Sequence, residues 1–111
     1  MRIIETSNSE MDKRTVFKMT KGKDTINART MPDREIFTAQ EYLIYQEENS
    51  KGEEVEILAI LTEDGRVICA QSNTFKNSFL EVWEAFGRGC ECMKISGESK
   101  SGREYIDCTL Y

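Results

Sequence analysis

Residues 55–87 read VEILAILTEDGRVICAQSNTFKNSFLEVWEAFG, and three changes of period within them decide the fold. Val55 to Thr62 is aliphatic and β-branched on both alternating phases, which suits a strand near the middle of a closed barrel. Glu63-Asp64-Gly65 is a strong hairpin turn, and Arg66 to Gln71 returns as the next strand. Ser72 or Asn73 then offers a short side-chain oxygen to the free amides of a first helical turn. Phe75, Phe79, Val82, Trp83 and Phe86 recur at helical spacing up to Gly87, so one large apolar stripe is predicted to face a core. That stripe, Trp83 included, reads as core and not as a stacking platform.

Working outward, Glu35 to Glu47 is rich in Ile, Phe, Thr, Tyr and Leu and is long for one strand, which predicts a bent one. Asn49-Ser50-Lys51-Gly52 turns it into the strand at Val55. On the far side of the helix, Glu91 to Ser96 and Arg103 to Leu110 are strands joined by the hydrophilic loop Gly97 to Arg103. Three antiparallel strands, a helix and two further strands is the element order of the OB-fold, a five-stranded, partly open barrel. The fold class is therefore mostly β, over residues 32–111. An α+β sandwich with the helix on one face of an open sheet is the second reading. Pro32-Asp33 interrupts any strand and marks the boundary of an N-terminal extension, residues 1–31. In that extension residues 1–12 show no periodicity, while Arg14 to Thr20 and Thr25 to Met31, turned by Lys21-Gly22-Lys23-Asp24, read as a β-hairpin with a basic tip.

Composition narrows the function. The chain has 111 residues, enough for one modest core, with 39% hydrophobic and 32% charged residues, as in ordinary soluble domains. Its longest apolar run, Ile57 to Leu61, is far below a membrane span, and residues 1–12 lack the apolar block of a signal peptide. The protein is expected in the cytoplasm, away from membranes, with Cys69, Cys90, Cys92 and Cys108 as reduced thiols. Cys90-Glu91-Cys92 invites a metal, but histidine is absent and no paired CxxC spacing exists, so small buried strand residues are the better reading and no cofactor is expected. No nucleophile with a neighbouring base and no glycine-rich phosphate loop is present, which argues against an enzyme.

A net charge of −5 argues against simple polyanion binding. The charges are segregated, however. Lys13, Arg14, Lys18, Lys21, Lys23 and Arg29 gather early, and Glu47, Glu48, Glu53, Glu54 and Glu56 gather around one turn, so a basic groove on an acidic protein is compatible with the composition. Binding a single strand needs cations for the phosphates and flat rings for the bases. If Ile106, Cys108 and Leu110 face the core, alternation sends Tyr105 outward; with Met93 and Ile95 inward, Lys94 points outward beside it. Phe37, Tyr42 and Tyr45 add rings on the long strand, whose bend leaves their facing open. Lys100 and Arg103 flank Gly102 in the last loop, where they could meet phosphate or simply decorate a solvated turn.

Several landmarks occur in order: Asn27-Ala28-Arg29-Thr30, Pro32-Asp33 before a long strand with Tyr45, Asp64-Gly65 followed by Ala70-Gln71-Ser72, and Gly97-Glu98-Ser99-Lys100-Ser101-Gly102-Arg103. On these the chain resembles the small single-stranded-DNA-binding proteins of Gram-positive phages, including those replicating by protein priming, and of related mobile elements. The resemblance implies coating of displaced single strands during replication, without sequence preference, with replication proteins as further partners. It also implies base contact by barrel tyrosines, carried here to Tyr45, Tyr42 and Tyr105. Four cysteines and the strongly aromatic helix depart from that pattern. The rival readings are an acidic protein-interaction module that imitates DNA and inhibits a host protein, and a cold-shock-like RNA binder, whose closely spaced aromatic motifs are absent.

Overall fold

A computed structural model describes residues 1–111. It is built on β3 (Ile36–Glu48), β4 (Glu54–Thr62) and β5 (Val67–Ala70), joined by tight turns. Asn49 Oδ1 accepts from the amides of Lys51 and Glu53, closing the first turn, and Gly65 closes the second at φ +85°, a region that L side chains rarely enter. After α2 (Asn73–Phe86) come β6 (Glu91–Glu98) and β7 (Glu104–Leu110). The strands form one curled, open sheet in the order β2-β5-β4-β3-β6-β7, with β1 (Arg2–Thr6) paired to β3. No helix is long and apolar enough to cross a membrane.

The bend expected in the long strand is what curls the sheet. The start of β3, Ile36 to Thr38, pairs with β6, whereas Leu43 to Gln46 on the same strand pair with β1. β4 follows β3 along its length, with an irregularity between Ala39 and Glu41. At that point the Ala39 amide donates to Cys90 O at 3.0 Å and its carbonyl accepts from the Gly89 amide at 2.7 Å, so the pairing toward β6 survives the bend.

Helix α2 begins and ends where its caps dictate. Ser72 Oγ accepts from the Phe75 amide at 3.2 Å, and the Gly87 amide donates to Trp83 O at 2.7 Å. Phe75 and Phe79 are fully buried against Phe37, Tyr42, Ile44, Leu58, Ile60 and the inward residues of β7. Phe37 stacks on Phe75 with centroids 6.5 Å apart, and the Tyr42 ring meets Phe79 and Trp83 edge-on at 5.8 and 5.2 Å. Phe86 departs from the expected stripe. It sits in the last turn of the helix and is 61% exposed.

The N-terminal hairpin is not formed. Lys13–Lys21 is a helix, α1, and only Thr25–Asn27 is extended, as β2, which pairs in parallel with β5. The physical reason is a cap the alternating reading overlooked: Asp12 Oδ1 accepts from the Thr15 amide at 2.7 Å and starts the helix. Val16, Met19 and Thr20 then share one helical face. Met19 and Val16 pack with Leu43, Tyr45, Ala59 and Val67 on the sheet face opposite α2. β4 is therefore aliphatic on both phases because a helix covers each of its faces, not because it lies mid-barrel. With β1 and β2 in the sheet and Ala28 and Met31 in the main core, the first 31 residues are woven into the same body as the rest.

Three of the four thiols, Cys90, Cys92 and Cys108, are buried in the main core, with Cys90 Sγ and Cys92 Sγ 3.8 Å apart. Contact with Cys92 and burial hold the Cys90 thiol far above its ordinary range, whereas Cys92 is pushed up to about 12 by contact with Cys108 and by burial, against an opposing pull from Cys90. Burial alone lifts the half-buried Cys69 to about 11. Since the thiolate is the reactive form, native protein titrated with a chromogenic disulfide at pH 8 is expected to react slowly at Cys69, and at the other three only after unfolding. Rapid reaction of more than one thiol in the native state would contradict this packing.

Candidate nucleic-acid interface

The β6–β7 hairpin sets the geometry of the site. Its tip is closed by the Ser99 amide donating to Arg103 O at 2.8 Å and by Ser99 Oγ accepting from the Arg103 amide at 3.2 Å, with Gly102 at φ +81°. Counting back from this turn, Glu98 lies opposite Glu104 and Gly97 opposite Tyr105. The missing side chain at 97 is filled by the tyrosine: a Cβ there would stand 2.4 Å from Tyr105 Cζ and 2.5 Å from its hydroxyl oxygen. The ring therefore lies across the glycine backbone while remaining 42% exposed, with a face open to solvent. Gly97→Ala is expected to push this ring off its seat while leaving stability within about 0.5 kcal/mol, because an exposed side chain can swing away. A thermal melt and an oligonucleotide titration of that variant separate the two effects.

Tyr105 and Gly97 line a cleft of about 420 Å³ with Arg29, Ser96, Glu98 and Glu104. The facing carboxylates of Glu98 and Glu104 repel an anion at one end, so the Arg29 side is where phosphate would sit. Lys100 and Arg103 extend from the tip, both exposed and outside every salt bridge of the protein.

Lys94 does not point outward. In an antiparallel pair directly opposed residues share a face, and Lys94 lies opposite the buried Cys108, so it is only 2% exposed while Met93 and Ile95 are half-buried on the other face. On β7, Ile106 and Cys108 are buried as expected, but Leu110, at the open end of the strand, is exposed. The Lys94 ammonium donates to Met31 O at 2.5 Å and reaches Arg29 O at 3.4 Å. It thus holds the short 3-10 turn Ala28–Thr30, which Asn27 caps by accepting from the Arg29 amide at 2.9 Å. That turn places Arg29 between two clefts. The second, of about 340 Å³, is lined by Thr20, Thr25, Asn27, Tyr45, Cys69 and Gln71 among others.

The remaining rings expected at the site are in the core. Phe37 packs on Phe75, and Tyr42 and Tyr45 are buried on opposite faces of β3. Tyr42 donates from its hydroxyl to Glu5 Oε2 at 2.6 Å, and burial together with that carboxylate holds its phenol well above the ordinary range. Tyr45, whose hydroxyl lies 3.4 Å from Thr20 O, is pushed up to about 12 by burial. The structure therefore brings Arg29 and Tyr105 together in one cleft and Arg29 and the largely buried Tyr45 in the other, leaves Lys100 and Arg103 at the tip, gives Lys94 a supporting place beneath Arg29, and buries most of the ring surface at 37, 42 and 45, Phe37 bordering a separate hollow with Arg66. Gly97 was the residue that sequence reasoning missed; counting the hairpin register back from Ser99 and Gly102 would have found it.

Compared with known proteins, the chain matches no family model, no curated protein and no solved structure.

Proposed function

We propose that this chain is a non-catalytic, single-stranded-DNA-binding protein without sequence preference, built on an OB-type barrel that remains open. The strand path β5-β4-β3-β6-β7, with α2 between β5 and β6, matches the element order expected for that fold and supports this part of the reading. The observation that carries the function is the exposed Tyr105 ring seated on Gly97 beside Arg29, a stacking surface next to an unpaired cation. Lys100 and Arg103 are exposed at the tip, beyond the facing Glu98 and Glu104. Coating of strands displaced during replication of a phage or mobile element, in a host cytoplasm and alongside replication proteins, is the setting implied by the resemblance.

The test is titration with poly-dT, following intrinsic Tyr and Trp emission at low and high salt. Saturable quenching that weakens with salt is expected. Tyr105→Ala is expected to weaken binding by about 1–3 kcal/mol, and Tyr105→Phe to retain most of it, since the ring does the stacking. No quenching and no mobility shift of a labelled single strand would overturn the proposal. It would turn attention to the acidic end of the β3–β4 hairpin, where Glu48 faces Glu54, as a protein-docking surface.

A further inference from the structure

Helix α1 has two contrasting sides. Val16, Met19 and Thr20 face the sheet, while Lys13, Arg14, Phe17, Lys18 and Lys21 are exposed. At 100° per residue the five exposed positions fall within an arc of roughly 140°, with Phe17 inside it and cations on both sides. Phe17 is 63% exposed, although nothing in the helix prevents a polar residue there. Lys21 pairs with Glu47, but Lys13, Arg14 and Lys18 join no salt bridge. Neighbouring carboxylates are partly engaged elsewhere: Asp12 caps the helix and Asp64 is matched by Arg66. On a protein with net charge −5 this is a local concentration of uncompensated positive charge around a ring.

The face also continues from the cleft already described. Thr20 and Thr25 line the cleft that Arg29 borders, and Lys18 and Lys23 line the adjoining hollow of about 160 Å³ with Asp24 and Gly65. A track of cations thus runs from the Tyr105 cleft, past Arg29 and the start of β2, to α1.

We infer that the outer face of α1 is a second contact for the same single strand, with Phe17 stacking on a base and Lys13, Arg14 and Lys18 holding phosphates. This rests on the single-strand reading above and extends it from one cleft to a track. A strand long enough to reach both Tyr105 and Phe17 binds more tightly than one that fills the Tyr105 cleft alone.

The experiment compares oligo-dT of about 5 and about 20 nucleotides, a range that brackets the reach of single OB-type domains, by fluorescence anisotropy across a salt series. The proteins are the full-length wild type, Phe17→Ala, and the triple variant Lys13→Ala, Arg14→Ala, Lys18→Ala. Alanine is the best helix former, so α1 should persist, which circular dichroism checks. Phe17→Ala is expected to weaken the longer strand about tenfold and leave the shorter one nearly unchanged. The triple variant is expected to reduce the slope of log K against log salt by about 2, since each single-strand phosphate contact contributes about 0.7. Wild-type affinity and slope in both variants would overturn the inference while leaving the Tyr105 site standing, whereas no binding by the wild type would overturn the functional reading itself. Unchanged DNA binding with loss of self-association in sedimentation would also overturn it, and would assign the face to a second copy of the chain.

Discussion

Phe79→Ala is expected to destabilise the protein by about 3–5 kcal/mol, the range for removing a buried aromatic ring from a packed core. Phe79 is fully buried where the middle of α2 meets the curled sheet, touching Tyr42 edge-on and lying 6.1 Å from the Trp83 ring. The helix is held at both ends by its caps and cannot slide to close the gap, so the loss combines the transfer of the ring with the cavity left behind. Against a typical total of about 5–15 kcal/mol, that leaves a marginal domain. Urea unfolding followed by Trp83 emission measures it directly. Phe86→Ala is the control: its side chain is mostly in solvent, and the expected change is within about 0.5 kcal/mol. Equal effects of the two variants would mean that α2 does not pack as described.

Lys94→Met is expected to lower stability by about 2–4 kcal/mol and to loosen the turn that carries Arg29. The substitution keeps most of the volume but removes the donor to the Met31 and Arg29 carbonyls, and each buried acceptor left without a partner costs about 1–3 kcal/mol. Relief of the ammonium's own desolvation offsets part of this, which is why the loss does not reach the sum of every bond broken. A merely structural lysine would change the unfolding midpoint alone. A lysine that positions Arg29 should also lower the salt slope of single-strand binding by about 0.7, the contribution of one phosphate contact, under conditions where the variant is fully folded. Arg29→Ala should reproduce the slope change with little effect on stability, because its side chain is exposed. If Lys94→Met keeps the wild-type slope, the lysine supports the core and nothing more.

The net charge of −5 does not describe how charge is distributed over the chain. Several acidic groups are neutralised locally, as in Lys21 with Glu47, Lys76 with Glu56 and Arg88 with Glu41. Lys13, Arg14, Lys18, Lys23, Arg29, Lys100 and Arg103 are among the exposed cations that join no salt bridge. Screening by salt acts most on such exposed groups.

By itself, the amino-acid sequence determined the elements from β3 onward, because their signals are local. The Glu63-Asp64-Gly65 turn, the Ser72 cap, the helical recurrence of Phe75 and Phe79 and the stop at Gly87 are each set by neighbours in the chain. It also determined that Tyr105 faces outward, since Ile106 and Cys108 occupy the buried phase of the same strand. Tertiary structure decided the rest. Arg14 to Thr20 carries enough alternation to pass for a strand and enough helical spacing to be α1, and the Asp12 cap and the apolar outer face of β3–β5 settle it as helix. Lys94 reads as an outward cation until its opposite residue, the buried Cys108, assigns its face. Phe37, Tyr42 and Tyr45 read equally as stacking rings or as core, because on a bent strand covered by a helix on each side alternation no longer distinguishes solvent from interior. Which rings remain open to a ligand depends on what packs over them, and that is a property of the assembled chain.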